Sequence, residues 1–402
     1  MIHVSKPDPV AALEIGTSRT VMAVGEPLAP GRVKVLAVEE IPSRGVRKSQ
    51  IVDIAQAGIS VASVLQKAED KTGYTIHQAN LAVSGPHVRA KMYTAQWQLN
   101  GPTVTDEDVA GVYNQSLDAG IDSAERMLLE ASELGYGLDD IDDITQPKGM
   151  TGRILRLRTL FVHGSAQRVA DARKAADYRA KLAITDAYFS ASRAACAVLS
   201  PEARRDGAIA IDLGGGSTGY TVWSDGRLVH ANVLGVGGDH VTNDVSLALG
   251  LTRAQAEQAK KEAHAVVGGQ GGSPRIDVPS STPGFDTASI SRRALETVVN
   301  ARLHEIFAII RTELDRENLL HRVHGGIVLT GGVSAQPEIA RLASSVFGLP
   351  ARVGTLIPGI EGLEGVEHPA SYATVAGLLL MSQVEPDSGS LIKRIFGGFF
   401  GK

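Results

Sequence analysis

The sequence predicts an α/β fold of two lobes built from one duplicated unit, with a smaller α+β domain inserted into the first. Three observations predict it. AALEIG, a turn at Thr17–Thr20, VMAVGE and RVKVLAVEEI form a short β-meander, and AIAIDLGGGSTGYTVW with RLVHANVLGVGG forms a second of the same plan. Each copy opens on a short apolar strand that ends in an acidic residue and glycine. Between Ser84 and about His163 the duplicated scheme breaks off and other strand and helix patterns intervene.

At 402 residues the chain is long enough for two cores. Its formal net charge of -4 and pI near 6.3 provide no electrostatic footprint for nucleic acid. Cys196 is the single cysteine, so no intrachain disulfide forms, which favours a reducing compartment. The opening MIHVSKPDPV has no apolar core of a signal peptide. No apolar run reaches the roughly 20 residues of a membrane-spanning helix, so any membrane contact is expected at the surface.

The helices are expected where such a scheme needs them. ISVASVLQKAEDKTG is amphipathic and closes at Gly73. In the insert, VTDEDVAGVYNQSLDAG starts at an N-cap, Thr105, with acid in its first turn, and RILRLRTLFVHG reads as a strand. VTNDVSLALG and TRAQAEQAKKEAHAV follow the second meander, the latter capped by Thr252. Ser291 to Leu319 carries apolar residues at three- and four-residue steps, and GGIVLTGGVSAQPEIARLASSVFG reads as strand, glycine turn and helix. The Gly/Pro/Ser-rich stretch GGQGGSPRIDVPSSTPG reads as a surface loop.

Chemistry concentrates at the glycine turns. Glu14 precedes Gly16, Thr17 and Ser18, and Asp212 precedes Gly214, Gly215, Gly216, Ser217 and Thr218. Glycine lets backbone N–H groups approach phosphate oxygens, and the hydroxyls add donors. The two carboxylates suit a hydrated magnesium ion, held through water. A third turn, Gly331-Gly332 after GIVLT, lets backbone approach a flat ring. Each turn alone is commonly structural; three in this order, each after a strand, point to a nucleotide.

That order resembles the actin, sugar-kinase and heat-shock-chaperone superfamily. The resemblance implies an actin-like two-lobe ATPase fold of duplicated ribonuclease-H-like domains, with ATP and Mg2+ as ligands. It also brings Gly238, Glu257 and Lys260 to the adenosine side and Arg19 to the phosphates. More specific stretches resemble the FtsA family of bacterial division proteins: IPSRGVRKSQIVDIAQAGISVASVLQKAEDKTG, AVSGPHVRA, PKGMTGRILRLRTLFVHG, RRALETVVNARLHEIFAII and GIVLTGGVSAQPEIARLASSVFGLPARVG. By that likeness subdomain 1A spans 10–83 and 165–206, an inserted 1C-type subdomain 84–164, subdomain 2A 207–245 and 323–382, and subdomain 2B 246–322. Several positions depart from the superfamily pattern. Glu14 stands for the usual Asp, Arg19 for a common lysine and Gly219 for a frequent Asp; ELGYGLDDIDDITQPKGM is unusually acidic. Ser190-Ala191 falls where relatives carry a Glu-Pro pair that positions the attacking water, so slow turnover is expected.

The chain ends in a polar linker, 383–390, and SLIKRIFGGFFGK. On a helix Leu391, Ile392, Ile395, Phe396, Phe399 and Phe400 share one face, while Lys393 and Arg394 lie off it. Three of the eight phenylalanines crowd there. The pattern over 391–402 predicts an amphipathic helix at an anionic lipid surface, worth roughly 4–8 kcal/mol before ordering costs. The family resemblance further implies a head-to-tail polymer at the cytoplasmic face of the inner membrane, at the division site. It implies as partners the C-terminal peptide of FtsZ, with Arg302 in the receiving region, and other division proteins. A pilus-assembly ATP-binding adaptor and a small-metabolite kinase share the fold class, and neither accounts for the tail.

Overall fold

The computed structural model describes residues 8–120, 124–265, 274–279 and 286–381. The linker and the amphipathic segment 391–402 lie outside the described residues. The duplication shows in the sheets. In the first lobe the strand order is Ala183–Phe189, Gln78–Val83, Val10–Ile15, Arg19–Ala29 and Arg32–Pro42, with Ile360–Glu361 added at the edge. In the second it is Ala351–Val353, Ile327–Thr330, Ala208–Leu213, Thr218–Ser224 and Arg227–Leu234. In both, the acidic-ended central strand pairs parallel with one neighbour and antiparallel with its own meander partner. Both central strands therefore deliver their acidic residue and glycine turn to the same end of a sheet.

Helices cover these sheets for local reasons. Ile54–Thr72 begins where Asp53 Oδ1 accepts the Gln56 N–H (3.0 Å) and stops at Gly73, φ 74°. It buries Val61, Val64, Leu65 and Ala68 on the first-lobe core. Arg292–Arg316 starts at Ser291, whose hydroxyl caps Ala294, and buries Leu295, Val299, Leu303, Ile306, Phe307, Ile310 and Leu314 in the second core. Among the described residues no helix is long and apolar enough to cross a membrane.

The insert has a four-stranded sheet, ordered Arg89–Gln98, Ile154–Ser165, Arg126–Leu138 and Ile141–Ile144. The helix Asp106–Gly120 packs on it around Ala95, Val112, Leu155 and Leu157. Thr105 and Asp108 cap that helix reciprocally: each donates a backbone N–H to the other's side chain, at 2.9 and 3.2 Å. The acidic run of the insert is matched internally. Asp142 pairs with Arg156 at 3.2 Å, Asp143 with Arg158, and Asp139 accepts the N–H of Ile154 at 2.9 Å.

One expected loop is corrected. Within GGQGGSPRIDVPSSTPG, Arg275–Val278 is a strand paired with Ala288–Ser291. Alternation buries Ile276 and Val278 while Arg275 and Asp277 stay out, a two-residue period that flanking Gly and Pro obscure.

Candidate functional site

The first two glycine turns face each other across the lobes and touch. A Cβ on Gly216 would lie 2.2 Å from Thr17 Oγ1, and one on Gly215 3.2 Å from Ser18 Cβ. Only glycine fits position 216, because real Cβ atoms do not approach that closely. Hydroxyls bind the turns together: Ser49 N–H donates to Thr17 Oγ1 (2.8 Å), Ser49 Oγ bonds Ser217 Oγ (2.9 Å), and Ser84 Oγ lies 3.2 Å from Ser217 Oγ. The backbone N–H groups of Thr17, Ser18, Gly215 and Gly216 donate to no protein acceptor among the described residues. Two opposed turns thus offer four unsatisfied donors, the donor set a polyphosphate needs.

Behind the turns stand the two carboxylates. Burial, and then the charge of Asp212, pushes Glu14 up to about 7, against the opposing pull of Arg19. Burial pushes Asp212 up to about 6, against hydrogen bonds from Thr330 and Thr374 and the charge of Arg19. Thr330 Oγ1 lies 3.3 Å from Asp212 Oδ1 and Thr374 Oγ1 3.5 Å from Oδ2. Two acids whose ionisation is resisted by burial call for a cation, and a hydrated divalent ion fits this donor set. Arg19 does not take the phosphate-facing place the resemblance implied. Its guanidinium bonds Glu40 (2.5 Å) and the Ser371 carbonyl, and lies 4.7 Å from the centre of the Tyr372 ring. It acts on the site through its charge.

Thr218 is also engaged elsewhere: it is buried and donates to the Val236 carbonyl at 2.8 Å. Gly219, the other departure, packs on the first lobe, since a Cβ there would meet the Ala191 Cβ at 2.8 Å. Ser190 begins the helix Ser190–Val198, buried, with a hydroxyl that has no partner. No carboxylate stands at either residue.

The third turn closes against the second. Gly331, φ 82°, sits where a Cβ would strike the Leu213 carbonyl at 2.5 Å and Asp212 Oδ1 at 2.7 Å, while Gly332 faces open space. Gly238 opens the helix Gly238–Leu249, its N–H on the Gly214 carbonyl (3.0 Å) and its Cα side against Val333. Lys260 is buried: Nζ donates to Glu257 (2.6 Å), Thr242 (2.7 Å) and the Gly238 carbonyl (3.3 Å). That ammonium holds Glu257 below its ordinary value against the opposing effect of burial. Glu257 and Lys260 therefore brace the turn at Gly238 from within the fold. Arg302 stands apart on the Arg292–Arg316 helix, bonded to Asp244 (2.6 Å) and to Glu305. Its charge is matched there by two acids.

Sequence reasoning did not single out Ser49, Ser84 or Thr374, and it read Thr330 only as the start of the third turn, not as a partner of Asp212. The two serines carry no signature beyond being serines in loops. The roles of the two threonines become visible only when parallel pairing and the closing helix set them beside Asp212.

Two lobes of one duplicated plan, with facing glycine turns and paired carboxylates, define an actin-like ATPase fold carrying an inserted domain. Residues 209–377 match the family described as "Cell division protein FtsA", and residues 85–163 match "SHS2 domain inserted in FTSA". The chain belongs to the FtsA family of cell division proteins. It is 29% identical over 382 residues to the cell division protein FtsA of Pseudomonas aeruginosa, covering 94% of this chain and 90% of that one. Among solved structures it resembles the PilM-PilN type IV pilus biogenesis complex, with TM-score 0.63 at 14% identity, covering 94% of this chain and 99% of the other. It also resembles MreB5 of Spiroplasma citri bound to ADP, with TM-score 0.50 at 14% identity, covering 93% and 95%.

Proposed function

We propose that this protein binds ATP with magnesium between its lobes, polymerises head to tail, and tethers FtsZ filaments to the cytoplasmic face of the inner membrane at the division site. The pair of facing glycine turns, with four unsatisfied N–H donors and two half-buried carboxylates behind them, carries the nucleotide reading. The ADP in the MreB5 structure, on the same fold, agrees with it. Magnesium would supply charge neutralisation for the phosphates, with Glu14 and Asp212 holding its waters.

The chain's own residues then do the mechanical work. Thr17 and Ser217, one from each lobe, bond phosphate oxygens and draw the lobes together. Gly238, Gly331 and Gly332 receive the adenosine, braced by Lys260. Ser190-Ala191 offers no base for an in-line water, so bound ATP acts as a conformational ligand with slow turnover. Gly16 and Gly214 keep each turn tight enough to serve both lobes.

Leu391, Ile392, Ile395, Phe396, Phe399 and Phe400 would enter the lipid interface, with Lys393 and Arg394 near anionic headgroups. One such helix binds reversibly, and a polymer presenting many tails gains avidity. FtsZ's C-terminal peptide would dock near Arg302, which must exchange Asp244 or Glu305 for the peptide's acid. The test is co-sedimentation with anionic liposomes of the intact chain and of a version truncated after Asp387, with and without ATP. Pelleting of the intact chain alone supports the tether; equal behaviour of the two refutes it.

A further inference from the structure

Val46–Arg47 and Gln50–Ile51 form a short hairpin whose tip, Lys48 and Ser49, reaches the junction of the two phosphate-binding turns. Both tip residues hold left-handed backbone, φ 49° and 57°. Neither is glycine, asparagine or aspartate, so side-chain crowding makes this turn costly by itself. Contacts beyond the hairpin hold it. The Ser49 N–H donates to Thr17 Oγ1 (2.8 Å), and its hydroxyl bonds Ser217 Oγ (2.9 Å). A Cβ on Gly216 would lie 2.8 Å from the Ser49 nitrogen, so Ser49 fills the space between the turns.

Ser49 also touches the point where the chain leaves for the insert. A Cβ on Gly85 would lie 3.1 Å from the Ser49 carbonyl oxygen and 3.3 Å from its Cβ, and Gly85 itself has φ 124°. Ser84 completes the cluster through Ser217. One residue thus contacts the first turn, the second turn and the root of the inserted domain.

We infer that Ser49 distinguishes a nucleoside triphosphate from a diphosphate by competing with the terminal phosphate for Thr17 and Ser217. This rests on the nucleotide reading proposed above. A terminal phosphate bonded by both turns displaces Ser49, and the strained tip then relaxes away from them. Its contact on Gly85 loosens with it, which transmits the state of the nucleotide to the insert. A diphosphate leaves Ser49 docked.

The experiment is calorimetric titration of the full chain and of Ser49→Ala with magnesium-ATP and magnesium-ADP, joined to amide hydrogen exchange. Removing a competing hydrogen-bonded group should raise ATP affinity about tenfold and leave ADP affinity unchanged. In the unmodified chain, amides of residues 45–52 and 84–89 should exchange faster with ATP than with ADP. Equal changes for both nucleotides would make Ser49 a structural residue only. A selective fall in ATP affinity would make it a ligand of the terminal phosphate, and an exchange pattern indifferent to the nucleotide would remove the relay. Binding of neither nucleotide by the unmodified chain would overturn the nucleotide reading itself, and this inference with it. Should Ser49→Ala fold poorly, Ser49→Gly suits the backbone and carries the same test.

Discussion

Glu130 on the inserted sheet and Arg193 on the first-lobe helix Ser190–Val198 form an ion pair with side chains only 3% and 0% exposed. Ser192 donates its hydroxyl to the same carboxylate at 2.5 Å, and the Arg193 guanidinium lies 5.6 Å from the centre of the Tyr188 ring. The pair joins the insert to the body without access to water. Removing one partner strands the other charge, so Glu130→Ala or Arg193→Ala should lose about 3–5 kcal/mol in denaturant unfolding. Glu130→Leu with Arg193→Met should recover most of that loss. Single variants as stable as the parent would show that the charges are not buried together.

The same helix is crossed closely by Ala373–Met381. A Cβ on Gly377 would lie 1.9 Å from the Arg193 carbonyl oxygen, which leaves no room for even a methyl group. Gly377→Ala should force the helices apart and cost about 1–3 kcal/mol, read as a lower thermal midpoint. An unchanged midpoint would contradict the close crossing.

What the sequence made legible was local. The glycine turns, the Thr105 and Thr252 caps and the Gly73 terminus each announce themselves within a few residues. Non-local choices were hidden. Arg19 was expected on phosphate, yet its partners include Ser371, far along the chain. Ser190–Val198 is buried on every side, so it shows no polar stripe to betray a helix. Ser49 adopts a conformation that glycine would have advertised.

Acid–base behaviour offers a third prediction. Glu14 and Asp212 have values raised to about 7 and about 6, so folding takes up protons between the unfolded value of about 4 and those values. Stability without metal is therefore greatest at low pH and falls as pH rises towards about 7, by on the order of 3 kcal/mol for Glu14. Magnesium reverses the sign, since it favours both carboxylates charged. Denaturation in EDTA should show this slope in the unmodified chain and a flatter one in Glu14→Gln. Identical slopes would remove Glu14 as the cause. Magnesium-dependent ATP binding should weaken from pH 8 to pH 6.

Lys260 tests the adenosine side separately. Lys260→Met removes three donated hydrogen bonds, leaves Glu257 without its nearest cation and unbraces the Gly238 turn. Affinity for adenosine and for ATP should fall together, about tenfold. A loss confined to ATP would place Lys260 on the phosphates instead.

The most direct test of the nucleotide-gripping lobes is calorimetry of magnesium-ATP binding to the unmodified chain and to Gly216→Val. Saturable binding by the first and none by the second is the expected result, because a side chain at 216 drives the two turns apart at Thr17. No binding by the unmodified chain, or equal binding by Gly216→Val, would contradict a phosphate cradle between the turns.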